Sequence, residues 1–325
     1  MNILVTGGAG FIGSYLIEKL LKDSHHVSIL DNMSTGRYKN IEPFQNNKNF
    51  TFLLGDILYA DLVGKLVSEC DMVYHLAAVV GVKNVMENPV ETIRTNTIGT
   101  ENVLHHCARY KRKVLIASTS EVYGKAMKIK KGKGGLKETD DSIFGATKIR
   151  RWSYATSKAL DEFLALAYYQ EKNLPVVIVR FFNTVGPRQL GDYGMVIPIF
   201  VQKALLGDPI PVFGDGTQRR SFTYVEDVIN GIVQLMDIKE AEGEVINIGN
   251  YNEINIKELA ELVIEITNSK SKINYIPYKE AYGIGFEDMA RRKPDISKII
   301  KLIGFKPTID IEEIILRVVN HMQSS

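Results

Sequence analysis

Ile3-Leu4-Val5-Thr6-Gly7-Gly8-Ala9-Gly10-Phe11-Ile12-Gly13 is the stretch of this 325-residue chain that decides the fold. It begins as an apolar run typical of a buried strand and leads into an amphipathic pattern over residues 12–21. The glycines at positions 7, 10 and 13 allow a sharp turn, close approach of a pyrophosphate and close packing on a sheet. The free N–H groups of the helix N-terminus attract the same anion. The stretch therefore predicts a strand–turn–helix unit that binds a dinucleotide.

Asp31 follows the second predicted strand, at the distance where dinucleotide-binding units carry an acidic residue. A carboxylate there hydrogen-bonds the adenosine ribose hydroxyls and repels a 2′-phosphate, so Asp31 predicts NAD as the cofactor rather than NADP. Arg37, in the loop that follows, is the residue that could reach a 2′-phosphate and oppose this preference. The alternative is that Asp31 only begins the turn Asp31-Asn32-Met33-Ser34.

Short apolar runs alternate with amphipathic stretches through the first half of the chain. This alternation predicts a parallel sheet covered on both faces, a doubly wound α/β fold of the Rossmann type. After Arg180, frequent glycine and proline predict a smaller lobe. We expect a cofactor-binding domain over residues 1–182, which also receives residues 225–250, and a nucleotide-sugar lobe over residues 183–325. The predicted strands are residues 3–6, 27–30, 50–54, 72–76, 114–117, 176–179 and 245–248, and the predicted helices are residues 12–21, 90–110, 153–171, 225–237, 256–267, 295–302 and 311–319.

Composition excludes several classes of protein. A formal net charge of +2 gives no reason to expect nucleic acid or an anionic membrane as a partner. The two cysteines, Cys70 and Cys107, support neither a disulfide framework nor a zinc site, and no metal is expected. No apolar run approaches the roughly 20 residues that span a bilayer. The first strand begins at once, without a signal-like segment, so we expect a cytoplasmic protein.

Residues 125–137 stand apart because they are rich in lysine and glycine. Such a composition favours a mobile, solvated loop. The alternative is a lid over an anionic substrate.

A series of motifs, in order along nearly the whole chain, resembles the extended short-chain dehydrogenase/reductase family, whose members are NAD-dependent nucleotide-sugar epimerases and dehydratases. The first motif is the glycine-rich stretch from Thr6 to Gly13. The others are Gly55-Asp56-Ile57, His75-Leu76-Ala77-Ala78, Ser118-Thr119-Ser120-Glu121-Val122-Tyr123-Gly124, Tyr154-Ala155-Thr156-Ser157-Lys158 and Arg180-Phe181-Phe182-Asn183-Thr184-Val185-Gly186-Pro187-Arg188.

The resemblance implies which residues bind the two ligands. Asp56 and Ile57 are expected at the adenine, and Leu76, Ala77 and Ala78 at the nicotinamide. The full set implied for NAD is Gly7, Gly10, Phe11, Ile12, Gly13, Asp31, Asn32, Asp56, Ile57, Leu76, Ala77, Ala78, Asn96, Tyr154 and Lys158. The set implied for a nucleotide-sugar, most simply UDP-linked, is Ser120, Asn183, Arg188, Arg220 and Arg292. Asn183 and Arg220 are expected to hold its diphosphate, a task that suits a guanidinium.

The implied chemistry centres on Tyr154 and Lys158, four residues apart on one face of a predicted helix. Lys158 and the nicotinamide cation favour the phenolate of Tyr154. That phenolate removes the proton of a sugar hydroxyl, with Thr119 as hydrogen-bond partner, while NAD takes the hydride from the same carbon. The product is a 4-keto sugar.

Glu121, after Thr119 and Ser120, resembles the residue found in 4,6-dehydratases and UDP-glucuronate decarboxylases, whereas 4-epimerases usually carry a small residue there. The stretches Lys148–Tyr154 and Tyr282–Pro294 are similar to the decarboxylase domain of a bifunctional polymyxin-resistance enzyme, where Arg292 falls on the catalytic arginine. The sequence thus predicts a UDP-glucuronate decarboxylase.

Other outcomes stay open at this point. The same scaffold serves UDP-sugar 4-epimerases and 4,6-dehydratases, and a catalytically idle NAD-binding protein is a further possibility. The family resemblance also implies a homodimer, in which residues 90–110 and 153–171 pair with their copies across a two-fold axis.

Overall fold

The computed structural model describes residues 1–131, 134–191, 195–282 and 289–324. Residues 283–288, part of one of the stretches used above to predict a decarboxylase, lie outside the described residues. Its strands are β1 (Asn2–Thr6), β2 (His26–Asp31), β3 (Phe50–Leu54), β4 (Met72–His75), β5 (Lys113–Thr119), β6 (Val176–Phe181), β7 (Thr184–Val185), β8 (Ile210–Phe213), β9 (Arg219–Arg220), β10 (Thr223–Tyr224), β11 (Glu244–Ile248), β12 (Ile254–Asn255), β13 (Ile273–Ile276) and β14 (Arg291–Arg292).

Helices connect most of these strands. They are α1 (Phe11–Lys22), α2 (Tyr38–Ile41), α3 (Ala60–Glu69), α4 (Val82–Glu87), α5 (Pro89–Tyr110), α6 (Ala126–Ile129), α7 (Trp152–Lys172), α8 (Val196–Leu206), α9 (Val225–Asp237), α10 (Ile256–Ile266), α11 (Tyr278–Tyr282), α12 (Ser297–Ile303) and α13 (Ile311–Gln323). In the part of the chain that the structure describes, no helix is both long and apolar enough to cross a bilayer.

A seven-stranded sheet in the order β11-β6-β5-β4-β1-β2-β3 forms the centre of the molecule, and every neighbouring pair is parallel. The chain runs outward from β1 to β3 and then returns to the other side of β1 with β4. Strand order reverses at this point, so the loops after β1 and β4 diverge and leave a crevice at the carboxyl ends of the strands. The predicted fold class is confirmed.

Apolar side chains cover both faces of the sheet because successive residues of a strand point to opposite sides. Ile3 and Val5 of β1 belong to one buried cluster, together with residues of α1, α9 and α13. Leu4, between them, belongs to another cluster, formed with α3, α5 and α7. The continuous apolar strands seen in the sequence are thus strands buried on both faces.

The smaller lobe contains short strands and the helices α8, α10 and α13. In its three-stranded sheet, β9 lies between β12 and β14. Arg292 of β14 and Arg220 of β9 are register partners in this sheet. Two residues expected to bind substrate are therefore side by side, although 72 positions separate them in the numbering.

The lysine-rich segment 125–137 is only partly the solvated loop that its composition favours. Ala126 and Met127 of α6 are buried, and Leu136 is 1% exposed. Leu136 donates its N–H to the carbonyl of Lys293 and accepts from the N–H of Asp295, so the segment is hydrogen-bonded to the residues that follow Arg292. None of the described residues of the segment lines the cleft, and Gly132 and Lys133 lie outside the described part.

His75, the last residue of β4, is buried in a polar chain behind the crevice. Its Nδ1 lies 2.8 Å from the Thr6 hydroxyl, and its Nε2 lies 3.0 Å from the Thr100 hydroxyl. Burial, together with the charge of Lys158, lowers the pKa of His75 to about 3. The imidazole is therefore neutral in the folded protein at ordinary pH.

We expect the free energy of unfolding to decrease as the pH is lowered, because His75 is buried in its neutral form. Below its ordinary pKa of about 6.5 the unfolded residue takes up a proton, whereas the folded residue stays neutral down to about pH 3. Between these two pKa values, each unit by which the pH is lowered reduces the free energy of unfolding by about 1.4 kcal/mol. Urea unfolding at several pH values should show that His75→Gln removes this part of the slope, while the exposed His26→Gln does not. Equal slopes in both variants would contradict the argument.

Candidate active site

The crevice is a single cleft that runs from the loop after β1 to the smaller lobe. Of the residues predicted to bind cofactor or substrate, only Asn96 and Lys158 do not line it. Those that do are Gly7, Gly10, Phe11, Ile12, Gly13, Asp31, Asn32, Asp56, Ile57, Leu76, Ala77, Ala78, Thr119, Ser120, Glu121, Tyr154, Asn183, Arg188, Arg220 and Arg292.

The glycines after β1 leave room that side chains would fill. Gly7 has φ +73°, and a Cβ there would lie 2.7 Å from the backbone nitrogen of Ala77. A Cβ on Gly13 would lie 2.3 Å from the carbonyl oxygen of Gly7. The loop can therefore pack against β4 and begin α1 only with glycine at these positions, and the open N-terminus of α1 faces the cleft. This cradle fits the pyrophosphate of NAD.

Asp31 ends β2 with its carboxylate held in place by the backbone. Its Oδ2 accepts from the N–H of Ala9 at 2.9 Å, and its Oδ1 accepts from the N–H of Met33 at 2.8 Å. Burial raises the pKa of Asp31, and these two hydrogen bonds oppose that effect. Asn32 donates to Asp56 at 2.7 Å, which joins two residues expected around the adenosine. Arg37 does not line the cleft.

Asn96 lies behind the residues that line the cleft. Its Oδ1 accepts from the N–H of Val79 at 2.8 Å, and its Nδ2 donates to the hydroxyl of Ser157 at 3.3 Å. Asn96 thus ties the loop after β4, which carries Leu76, Ala77 and Ala78, to α7. Its position suits an indirect part in cofactor binding.

Tyr154 lies in the first turns of α7 and faces the end of β5. Burial is the main cause that raises the pKa of its phenol well above the ordinary value, and the charges of Glu121 and Asp161 act in the same direction. A hydrogen bond with Thr119 and the charge of Arg292 lower it. The phenol is therefore neutral in the cofactor-free chain and needs additional positive charge to ionise.

Lys158, one turn after Tyr154, has its ammonium in the protein interior. The side chain is 2% exposed, and Nζ donates to Oδ2 of Asp161 at 2.8 Å. Asp161 was not identified from the sequence. The signal that could have found it is a carboxylate three residues after the lysine, on the same helix face.

Glu121 lies between two guanidinium groups near Tyr154. Arg292 donates to its Oε1 at 2.5 Å, and Arg151 donates to its oxygens at 3.2 and 3.3 Å. These three side chains are at most 15% exposed and all line the cleft. Glu121 and Arg292 are 171 residues apart, so the fold alone brings them together. Arg151 was not assigned a role from the sequence, although it lies three residues before Tyr154.

The residues expected at the nucleotide occupy the wall formed by the smaller lobe. Asn183 donates to the carbonyl of Ser221 at 2.8 Å, and Arg220 is 6% exposed. Arg188 lines the cleft, but its guanidinium donates to Glu18 at 2.7 Å and lies over the ring of Tyr15. The structure thus places the guanidinium of Arg188 against α1, where it links the smaller lobe to the cofactor helix.

The chain is similar to known proteins over almost its whole length. A family model described as GDP-mannose 4,6 dehydratase matches residues 4–318. A UDP-N-acetyl-alpha-D-glucosaminuronate decarboxylase from Bacillus cytotoxicus is 45% identical over 311 residues, which are 95% of this chain and 94% of that protein. UDP-glucuronic acid decarboxylase 1 from Danio rerio is 37% identical over 314 residues, which are 96% of this chain and 70% of that protein.

A solved structure shares the fold and the cofactor. The UDP-glucuronic acid 4-epimerase from Bacillus cereus, in complex with UDP-glucuronic acid and NAD, superposes with a TM-score of 0.88 at 32% identity. The match covers 100% of this chain and 99% of that one. The chain therefore belongs to the extended short-chain dehydrogenase/reductase family of nucleotide-sugar epimerases and dehydratases, and it is an NAD-dependent enzyme of that family.

Proposed function

We propose that the protein decarboxylates a UDP-linked hexuronate, UDP-glucuronate or its 2-acetamido counterpart. The observation that carries this proposal is the position of Glu121 between Arg151 and Arg292 in the wall of the cleft. Both guanidinium groups line the same cleft as Tyr154. Guanidinium groups there suit a substrate with its own carboxylate, and a neutral hexose does not need them. The similarity to the two decarboxylases named above supports the same reaction.

The proposed reaction begins at carbon 4 of the sugar. Tyr154, assisted by Thr119, takes the proton of the 4-hydroxyl, and NAD supplies the hydride acceptor at the same carbon. The resulting ketone is β to the carboxylate of carbon 6. The bond between carbons 5 and 6 then breaks, carbon dioxide leaves, and the electron pair of that bond stays on the sugar as an enolate, which is protonated at carbon 5. Return of the hydride to carbon 4 would restore the 4-hydroxyl and the oxidised cofactor.

Arg292 and Arg151 hold the substrate carboxylate or the charge that develops from it, with Ser120 as a further donor. Glu121 is engaged by both arginines, so we assign it the task of positioning them. This differs from the 4,6-dehydratase reaction, in which a free carboxylate has to take the proton from carbon 5. Asn183 and Arg220 bind the diphosphate, and Arg188 holds the neighbouring loop.

A second candidate is 4-epimerisation of the same uronate. The observation in its favour is the likeness to the epimerase that binds UDP-glucuronic acid. Both reactions start with the same 4-keto sugar, and they differ in whether carbon dioxide is lost before the hydride returns.

We also propose a cytoplasmic homodimer built on α5 and α7. These helices pack on each other and expose several large apolar side chains, as isologous interfaces do. The exposed apolar residues are Val90, Ile93 and Ile98 on α5, and Leu160, Phe163 and Tyr169 on α7.

Asp31 predicts the choice of cofactor. Titration calorimetry should show tight binding of NAD and weak binding of NADP, because a 2′-phosphate would meet the Asp31 carboxylate. Asp31→Asn should reduce the difference in affinity between NAD and NADP, because it removes the repulsion between the carboxylate and the 2′-phosphate. Comparable affinities of the native protein for both cofactors would contradict the role of Asp31.

Arg292 is expected to be essential for loss of carbon dioxide. Given UDP-glucuronate or its 2-acetamido counterpart with NAD, the native protein should yield a product lighter by one carbon dioxide in mass spectrometry. Arg292→Ala should lower that rate about 10²-fold or more, the usual effect of losing a charged group that stabilises a transition state. The exposed Arg219→Ala, on the neighbouring strand β9, is the control and should keep its activity. A product of unchanged mass from the native protein would favour the epimerase instead.

Phe163 tests the proposed dimer, since it is 72% exposed on α7. Phe163→Asp should give a monomer in sedimentation at micromolar concentration, because it places a charge in an apolar interface. Leu316→Asp, at a residue 42% exposed on α13, is the matched control. A native protein that sediments as a monomer would refute the proposal.

A further inference from the structure

The ion pair of Lys158 and Asp161 is among the most deeply buried charges of the described chain. The two side chains are 2% and 1% exposed, and they lie one to two turns after Tyr154 on the buried face of α7. Burying two charges is costly, and the attraction between them offsets the cost only when both are well placed. Removing one of them would leave the other without a compensating charge.

The pair lies near the polar chain that contains His75. The hydroxyl of Thr100 lies close enough to the Asp161 carboxylate to lower its pKa, and the same hydroxyl lies 3.0 Å from Nε2 of His75. Nδ1 of His75 lies 2.8 Å from the Thr6 hydroxyl, which accepts from the N–H of Ala77 at 3.3 Å. Asp161 is the only anion among these groups, and its Oδ1 accepts no hydrogen bond from the described residues.

We propose that Asp161 is a positioning residue for catalysis. Its buried carboxylate holds the Lys158 ammonium near Tyr154 and offsets the positive charge of that ammonium. The inference rests on the proposed role of Tyr154 and Lys158, and it is independent of which sugar is the substrate. Asp161 touches neither ligand and does not line the cleft.

The electrostatic consequence has a definite sign. An anion near a phenol favours the neutral phenol, so the Asp161 carboxylate raises the pKa of Tyr154. Asp161 therefore keeps Tyr154 protonated until the positive nicotinamide end of NAD is present.

Other charged groups around the pair are already engaged. Glu121, which also raises the pKa of Tyr154, is bound by Arg151 and Arg292. Glu162, which raises the pKa of Asp161, is paired with Arg180 at 2.6 Å. Asp161 is the carboxylate that is hydrogen-bonded to Lys158. Its replacement should therefore act on Lys158 and Tyr154 at once.

The test is the ionisation of Tyr154 in Asp161→Asn, which keeps the shape of the side chain and removes its charge. Phenolate absorbance is titrated in the NAD-bound protein, and the same titration of Tyr154→Phe in each background subtracts the other tyrosines. We expect the Tyr154 titration to move to lower pH by about one unit. Thr100→Val is the matched control, since it removes a polar neighbour of Asp161 without removing a charge, and it should move the titration much less. No shift, or a shift to higher pH, would overturn the proposal.

A second readout separates positioning from a purely structural role. If Asp161 acts through Tyr154, the limb of the pH profile of kcat that reports ionisation of Tyr154 should move to lower pH in Asp161→Asn. A structural role would lower kcat equally at every pH. Because the absorbance titration needs no sugar, a shift in that titration without release of carbon dioxide would count against the proposed reaction alone.

Asp161→Asn leaves a buried ammonium, so a variant that removes both charges guards against misfolding. In Asp161→Asn/Lys158→Met the two effects on Tyr154 cancel, and its titration should stay close to that of the native protein. If Lys158 acted unopposed, its loss in this double variant would raise the pKa of Tyr154, and that result would also overturn the proposal.

Discussion

The close contact between the loop after β1 and the backbone after β4 is the constraint on which the site depends. Gly7 is the point of contact, with space for no more than a hydrogen where a Cβ would lie 2.7 Å from Ala77. These two strands are neighbours in the sheet, although β2 and β3 lie between them in sequence. The contact therefore fixes the cofactor cradle relative to the end of β4, and the end of β5 lies one strand further along. A side chain at position 7 would separate the cradle from the side of the cleft that carries Tyr154.

Each charge that the proposed chemistry uses is held by a charge of opposite sign. Lys158 is held by Asp161, and Arg292 is held by Glu121. The two arrangements differ in composition, because Lys158 pairs with one carboxylate whereas Glu121 is shared by two arginines. The two guanidinium groups line the cleft, and Lys158 does not. This difference suits a substrate whose anionic group lies to one side of the reacting hydroxyl.

The sequence was sufficient for the features that depend on local pattern. The seven central strands and the glycine-rich turn after β1 were predicted because burial on both faces and positive φ leave a direct signature in residue type. The contact of Glu121 with Arg292 could not be derived from pattern, since it joins residues 171 positions apart. The lysine-rich segment was predicted only in part, for a related reason. Its composition is that of a solvated loop, but Leu136 finds backbone partners at Lys293 and Asp295, which no local rule anticipates.

The small sheet of the second lobe connects substrate binding to the proposed chemistry. Arg220 and Arg292 are register partners on β9 and β14, and the residues after Arg292 are hydrogen-bonded to Leu136. A diphosphate bound by Arg220, as proposed, would contact the strand that pairs with the one carrying Arg292. Remote binding energy, here from a diphosphate, is most useful to catalysis when it fixes the group that acts on the transition state. In this chain a single backbone pairing, two residues long on each strand, provides that connection.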